Sequence, residues 1–234
     1  MSSNLTEQEF ALLKRIAGRL GRSEPLTEKP SRDVIGPPDF WRQFQLSQEE
    51  KIERFCESWR ALTGVAETVQ SEWEAVDVLK RWIQEENITN LIRWDHPELE
   101  SLGLDEPLRL SGITVNVWGH GDPQSMKEIA NQAEAGITWA DYAVADTGTL
   151  SLFSSREKAR SVSLLPPIHI AVFRAKQLVT RIGEVMVKID EMNRNGSLPA
   201  GVNFITGPSR SSDIENDLSI GVHGPKKVFA LIIK

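Results

Sequence analysis

From residue 47 onward, amphipathic helical patterns alternate with short apolar runs, and this alternation limits the possible folds more than any other feature. Helical patterns begin at Ser47, Ser71 and Asp122, whose side chains are of the type that caps a helix N-terminus. The apolar runs between these patterns are typical of buried strands and lie at 65–69, 88–94 and 113–118. Such alternation favours a largely parallel sheet with helices on its faces, so the predicted class is α/β.

The C-terminal half has a different pattern, in which strand candidates follow one another closely. They lie at 143–145, 150–153, 162–165 and 168–172. Their spacing is too short for helical crossovers, so we expect a hairpin or a mixed section of the sheet. The remaining predicted elements are a helix over 179–189, a strand at 202–206, a short capped helix at 212–218 and a fully buried final strand at 228–233.

The N-terminal segment is predicted to form a helix followed by an extended arm. Thr6 and Glu9 have the spacing of a capping box at the start of that helix. A proline-rich stretch then carries three aromatic residues, which either dock on the main domain or form a partner surface: Phe40, Trp41 and Phe44. The predicted division is a helical arm at 1–46 and an α/β domain at 47–234.

Charge and cysteine content exclude several classes of function. The formal net charge is −6, without a cluster of Lys and Arg, which argues against nucleic acid as a partner. Cys56 is the one cysteine, so the chain alone cannot form a disulfide, a four-cysteine iron–sulfur site or a cysteine zinc site. The histidines show no metal-ligand spacing, and we expect no metal. With no signal sequence and no apolar run of membrane-spanning length, we expect a cytoplasmic protein without a membrane partner.

Gly119, Gly121 and Asp122 stand at a strand–helix junction, where dinucleotide-binding proteins place a glycine-rich loop. Asp122 would repel a pyrophosphate and is better suited to cap the helix itself. A nucleotide role for this loop is therefore disfavoured.

The first polar turn whose side chains could bind a ligand consists of Asp146, Thr147, Gly148 and Thr149. One interpretation is a structural hairpin turn in which Gly148 adopts a positive φ. The other places Asp146 and the two hydroxyls at the rim of a ligand cleft.

His169, in an apolar strand, also has two interpretations, as a histidine of the core or as a functional one.

The second polar segment joins a strand to a helix and contains Gly207, Ser209, Arg210 and Asp213. Backbone amides at a helix start, together with Arg210, could hold an anion, and the acidic residues nearby favour a monocarboxylate over a phosphate. A purely structural turn is the alternative. His223 and Gly224 form a further turn, which could lie beside this segment.

Three segments resemble the LUD domain of the lactate-utilisation protein C (LutC) family: 136–152, 160–172 and 203–228. The resemblance places the family's motif positions on Asp141, Asp146, Thr147, Gly148, Pro166, His169, Gly207, Pro208, Ser209, Asp213, His223 and Gly224. Asp146 stands where a glutamate is expected, and Trp139 where a smaller residue is expected.

The resemblance implies a fold like the NagB/RpiA/CoA-transferase group and a place in a three-protein system that oxidises L-lactate to pyruvate. In that system the two partner proteins carry the iron–sulfur clusters, and this chain alone binds no cofactor. The alternative is a stand-alone enzyme or sensor that binds a small carboxylate or sugar phosphate between the turns at 146–149, 206–213 and 223–225. Neither interpretation assigns a catalytic residue.

Overall fold

The computed structural model describes residues 6–26, 44–211 and 219–234. The chain divides into two compact units, Met1–Asp39 and Phe40–Lys234. The helix predicted in the first unit is present as α1 (Glu7–Arg19), and the capping box of Thr6 and Glu9 is formed. The predicted arm residues Phe40 and Trp41 and the predicted helix at 212–218 lie outside the described residues.

The second unit contains the remaining elements, numbered here in chain order. Its helices are α2 (Gln48–Ala61), α3 (Glu72–Glu85), α4 (Pro97–Ser101), α5 (Asp105–Leu110), α6 (Pro123–Gln132), α7 (Ser161–Leu164) and α8 (Ile182–Arg194). Its strands are β1 (Val65–Val69), β2 (Asn90–Arg93), β3 (Thr114–Val117), β4 (Ala135–Trp139), β5 (Tyr142–Val144), β6 (Thr149–Ser154), β7 (Ile168–Arg174), β8 (Leu178–Val179), β9 (Gly201–Ile205), β10 (Arg210–Ser211), β11 (Ser219–Ile220) and β12 (Lys227–Ile233).

The main sheet has six strands in the order β1-β12-β7-β4-β2-β3, and every neighbouring pair is parallel. The predicted α/β class with a largely parallel sheet is therefore confirmed. The C-terminal strand β12 lies between β1 and β7 and is buried from Val228 to Ile233, as its continuous apolar sequence predicts for a strand covered on both faces.

The antiparallel pairing expected in the C-terminal half forms a separate sheet of four strands, in the order β8-β5-β6-β9. The pairs β5–β6 and β6–β9 are antiparallel, whereas β5–β8 is parallel. A short antiparallel ribbon of β10 and β11 follows. The mixed section is thus present, but in its own sheet rather than at an edge of the main one.

Helix starts follow the capping residues in the sequence. Ser47 and Glu50 form the capping box of α2, and the Ser71 hydroxyl accepts from the Glu74 N–H at the start of α3. The Asp122 carboxylate accepts from the Ser125 N–H at 3.0 Å, so Asp122 caps α6 as predicted. These bonds satisfy backbone donors that a helix start otherwise leaves without partners.

Several elements differ from the sequence prediction: α4 and α5 were not predicted, and the helix predicted over 179–189 begins only at Ile182, after strand β8 (Leu178–Val179). Two further differences have a clear physical cause. The apolar run at 162–165 is not a strand, because residues 161–164 form α7 and the following Pro166 and Pro167 lack the N–H groups that a strand needs. Strand β4 was not predicted, since its first residues are Ala135 and Gly136, which have low strand propensity. A Cβ at Gly136 would lie 1.8 Å from the Val162 carbonyl oxygen, so glycine allows α7 to pack directly on β4.

Candidate functional site

Residues 146–148 lie in the turn of the hairpin between β5 and β6, and Thr149 is the first residue of β6. Gly148 has a φ of +59°, and a Cβ there would lie 2.7 Å from the Trp59 amide nitrogen, so the turn packs tightly on α2. The Thr147 and Thr149 hydroxyl oxygens are 2.7 Å apart. This arrangement matches the structural interpretation of the turn, with its glycine required by backbone conformation and by packing.

Asp146 faces two guanidinium groups. Its carboxylate oxygens lie 3.7 Å from Arg54 Nη2 and 3.7 Å from Arg181 Nε. The Arg181 guanidinium also lies 4.7 Å from the centre of the Phe44 ring, and both residues belong to the second unit. Asp146 is thus shared by two guanidinium groups, one of which, that of Arg54, also lies 3.9 Å from Glu57.

The second polar segment packs on the C-terminal end of α2. The Thr206 hydroxyl lies 2.9 Å from that of Thr149 and joins the two predicted segments. A Cβ at Gly207 would lie 2.9 Å from Leu62 Cβ. Arg210 Nη2 donates to the Leu62 carbonyl at 2.7 Å, so this donor serves the end of the helix. Asp213 lies outside the described residues.

Ser209 connects the second segment to the turn that contains His223 and Gly224. Its N–H donates to the Pro225 carbonyl at 3.0 Å, and its hydroxyl accepts from the His223 N–H at 3.3 Å. A Cβ at Gly224 would lie 3.4 Å from Ser209 Cβ. The predicted turns at 146–149 and 223–225 and the described part of the predicted turn at 206–213 therefore form one continuous strip.

This strip lies at the amino ends of the parallel strands. The turn at 223–225 directly precedes β12, and Lys226 N–H donates to the Pro167 carbonyl just before β7. Ligands of α/β proteins bind at the opposite edge, beyond the carboxyl ends of the strands. Many polar groups in the strip are also occupied by backbone groups, which leaves few donors for a ligand.

His169 is apart from the strip and fully buried in β7. Its Nε2 lies 2.9 Å from the Thr138 hydroxyl, and its Nδ1 has no hydrogen-bond partner among the described residues. Burial lowers the pKa of His169 to about 4, because a charged imidazolium would be poorly solvated there. The environment keeps this imidazole neutral near pH 7.

The carboxyl ends of β2, β4 and β7 carry a second set of polar residues. His96 follows β2, Asp141 follows β4, and Arg174 ends β7. Strands β2 and β4 are neighbours in the main sheet. After β2 the next strand of this sheet along the chain is β3, on the side away from β4, whereas after β4 it is β7, on the side away from β2. Such a reversal of direction opens a crevice between the two strand ends, which is where α/β sheets bind ligands.

His96 is held in one orientation at this edge. Its Nδ1 accepts from the Glu98 N–H at 3.2 Å, at the start of α4, and its ring stacks on Trp139 with centroids 5.8 Å apart. Burial, with the charge of Lys158 as a smaller cause, lowers the pKa of His96. The imidazole is therefore neutral near pH 7, and because Nδ1 accepts, its proton is on Nε2.

Asp141 is fixed by two donors. The Phe153 N–H donates to its Oδ2 at 2.7 Å, and Lys158 Nζ lies 3.1 Å from its Oδ1. The two charged side chains are 20% and 21% exposed, so this ion pair is better shielded from solvent than a surface pair. Lys158 also lies 5.7 Å from the centre of the Trp94 ring.

Arg174 ties two acidic side chains to the end of β7. Its Nη2 lies 2.7 Å from Glu98 and 2.6 Å from Glu72. The guanidinium carbon is 5.8 Å from the centre of the Trp139 ring. Because Glu98 also provides the N–H that holds His96, this pairing supports the orientation of the histidine.

A cavity of about 450 Å³ opens among these groups. It is lined by His96, Glu98, Trp139, Asp141, Tyr142, Phe153, Lys176, Gln177 and Met192. Sequence reasoning did not single out His96 or Lys176, and it reached Asp141 only through the family resemblance. The signal in the sequence is positional, since each of these polar residues lies in the first few residues after a strand.

Two further observations concern the described residues alone. Within 6–26, 44–211 and 219–234, no group of three or more His, Cys, Asp or Glu side chains is placed to hold a metal ion. No helix in those ranges is long and apolar enough to cross a bilayer.

The fold and this cavity define the class: an α/β protein with a parallel sheet and a candidate small-molecule site at the carboxyl ends of its strands. The sequence profile of the LUD domain matches residues 52–233. The chain therefore belongs to the LUD domain family, which confirms the resemblance seen in its three motif segments.

Relatives match over almost the whole chain. Lactate utilization protein C of Halalkalibacterium halodurans is 33% identical over 98% of this chain and 99% of its own length. Lactate utilization protein C of a Geobacillus species is 34% identical, over 100% of this chain and 98% of its own. The crystal structure of a DUF162 family protein from Deinococcus radiodurans superposes with a TM-score of 0.59 at 19% identity, over 81% of this chain and 99% of that one, which supports the fold.

Proposed function

We propose that this protein takes part in lactate utilisation. The observation that carries the proposal is its similarity, over 98% of its length, to a protein named Lactate utilization protein C. The similarity extends beyond the LUD domain at 52–233 into the N-terminal unit, so it is not limited to that domain.

We further propose that the chain supports the oxidation of L-lactate to pyruvate together with iron–sulfur partner proteins. This oxidation releases two electrons and two protons, and the electrons require an acceptor. The chain has a single cysteine, Cys56, which is buried and whose pKa is raised by burial, so it cannot supply a thiolate ligand set of its own. We therefore assign the electron-transfer clusters to partners.

A second candidate function, a small-molecule enzyme or sensor that acts alone, is favoured by the cavity beside His96 and Asp141. The two candidates differ in what they require from other proteins. A subunit of a lactate-oxidising system needs its partners for any lactate-dependent electron transfer, whereas an independent enzyme does not.

Deletion of the gene tests the first proposal. We expect the deletion strain to lose growth on L-lactate as sole carbon source, to grow normally on glucose, and to recover on lactate when the gene is restored. Affinity-tagged protein from lactate-grown cells should co-purify with iron-containing partners and with lactate-dependent dye reduction. Normal growth of the deletion strain on lactate would refute the proposal, and dye reduction by the purified chain alone would favour the second candidate.

A further inference from the structure

The cavity at the carboxyl ends of β2, β4 and β7 has the size and location of a small-molecule site. Its volume of about 450 Å³ lies within the usual range for ligand pockets. It opens where β2 and β4 send their chains in opposite directions, and all of its lining residues belong to the unit Phe40–Lys234.

The charges around the cavity favour an anion with a single negative charge. The two acidic lining residues already have cationic partners, since Asp141 pairs with Lys158 at 3.1 Å and Glu98 with Arg174 at 2.7 Å. Lys176 also lines the cavity, is exposed, and pairs with no carboxylate within 6–26, 44–211 and 219–234. Its ammonium group can therefore bind one carboxylate, whereas a second negative charge would find no further cation among the described residues that line the cavity.

His96 provides a neutral hydrogen-bond donor on the same cavity. Its Nδ1 is occupied by the Glu98 N–H, which leaves the Nε2–H group to donate, and this group has no partner among the described residues. An uncharged donor fixed by stacking on Trp139 suits an oxygen atom next to the carboxylate of a ligand, a hydroxyl or a carbonyl oxygen. The apolar part of such a ligand would face the side chains of Phe153 and Met192.

We propose that this cavity binds a small monocarboxylate with an oxygen substituent on carbon 2, a 2-hydroxy or 2-oxo acid. Lys176 binds the carboxylate and His96 Nε2–H donates to the oxygen on carbon 2. The choice of acid rests on the proposed function in lactate utilisation, but the site itself rests on the geometry of the cavity.

Calorimetric titration of the full-length chain with four acids tests the site. L-lactate and pyruvate should bind. Propionate, which lacks the oxygen on carbon 2, should bind at least about tenfold more weakly because His96 has nothing to bond. Malonate, which adds a second carboxylate, should give no measurable heat. Equal affinity for lactate and propionate would overturn the role of His96, and tighter binding of malonate would overturn the charge argument.

Variants locate the binding. Lys176→Gln removes the cation from an exposed position, and His96→Phe keeps a ring against Trp139 but has no donor; each should weaken lactate binding at least about tenfold. Lys188→Gln, an exposed lysine of α8 outside the cavity, is the matched control and should bind as the wild type does. If His96→Phe fails to fold, Lys176→Gln alone decides the result.

Two outcomes separate this inference from the proposed function. If the chain is required for growth on lactate but none of the acids binds, the inference fails and the proposed function stands. If lactate binds and Lys176→Gln weakens that binding, but deletion of the gene leaves growth on lactate normal, the inference stands and the proposed function fails. If Arg210→Gln abolishes lactate binding whereas Lys176→Gln binds lactate as the wild type does, the site lies at the amino ends of the strands and the inference is overturned.

Discussion

At the level of single residues, burial of His169 couples the stability of the fold to pH. The folded pKa of His169 is about 4, below the ordinary value of 6.5. As the pH falls below about 6.5, the unfolded chain takes up a proton at this histidine before the folded chain does. The stabilisation from a buried neutral His169 is therefore fully present above that pH and decreases as the pH falls, until it is lost near pH 4.

Replacement of His169 by glutamine should remove this part of the pH dependence. Between pH 7 and pH 4.5, the free energy of unfolding of the wild type should fall by about 2–3 kcal/mol more than that of His169→Gln. Urea denaturation of both proteins at both pH values measures the difference. The carboxylates are the same in the two proteins, so their contribution to the pH dependence cancels in the comparison. Parallel pH profiles would show that His169 is not the group responsible.

Gly148 and Gly196 form a natural pair for separating backbone strain from steric contact. Both have positive φ, +59° and +69°, but a Cβ at Gly148 would meet the Trp59 amide nitrogen at 2.7 Å, whereas Gly196 has open space around it. Gly196→Ala should cost about 1–2 kcal/mol of stability through strain alone. Gly148→Ala should cost about 1–3 kcal/mol more, because α2 must shift. If chemical denaturation shows the same loss of unfolding free energy for both variants, α2 moves away from residue 148 without a measurable loss of stability.

At the level of secondary-structure elements, α5 is attached to the main sheet by a shielded ion pair. Arg93, at the end of β2, binds both oxygens of Asp105 at 2.8 Å and 2.7 Å and also donates to the Trp94 carbonyl. The Arg93 side chain is 7% exposed. A guanidinium so little hydrated depends on its carboxylate partner.

Removing one partner of this pair should cost more than removing both. Asp105→Ala leaves Arg93 buried without its counter-ion and should destabilise the fold by about 3–5 kcal/mol. The double variant Arg93→Met with Asp105→Leu replaces the pair by apolar side chains of similar size and should be nearer to the wild type. Unfolding free energies of the three proteins give the comparison, and a double variant worse than Asp105→Ala would contradict it.

Local sequence patterns predicted the elements whose ends are marked by specific residues. Helices α2 and α3 begin at Ser47 and Ser71 as their side chains indicate, and β1 has its predicted bounds. Strand β4 was not predicted because its small first residues carry little strand signal, although Gly136 is what allows α7 to approach. Short elements without a clear periodicity, such as α4 and α5, were missed for the same reason.

The carboxyl-edge site could not be predicted from local patterns, since it depends on strand order. His96 and Asp141 become neighbours because β4 pairs with β2, although β3 and α6 intervene in the sequence. The turns with the most distinctive composition, at 146–149 and 206–211, proved to be bonded to α2 and to each other. The glycines of these turns are needed for tight packing, and the hydroxyl groups form hydrogen bonds within the protein, which accounts for the glycine, serine and threonine content of the turns.

At the level of the whole molecule, the two edges of the main sheet carry different chemistry. The amino edge holds polar groups that are bonded to backbone groups and to the end of α2. The carboxyl edge holds ion pairs that leave Lys176 and His96 Nε2 available on a cavity. The proposed ligand site and the internally bonded strip thus lie at opposite ends of the parallel strands.

The hydrophobic clusters of the structure lie entirely within the unit Phe40–Lys234, and the LUD domain profile begins at residue 52. A chain that begins at Phe40 therefore keeps both clusters and loses only Ala17 from the buried apolar residues that the structure describes, so its free energy of unfolding should lie within about 1 kcal/mol of the full-length value. Its thermal transition and its affinity for L-lactate, measured beside the full-length chain, should both be retained. A transition lowered by more than about 5 °C would mean that the N-terminal unit stabilises the domain. Retained stability with loss of lactate binding would mean instead that residues 1–39 are needed to form the ligand site.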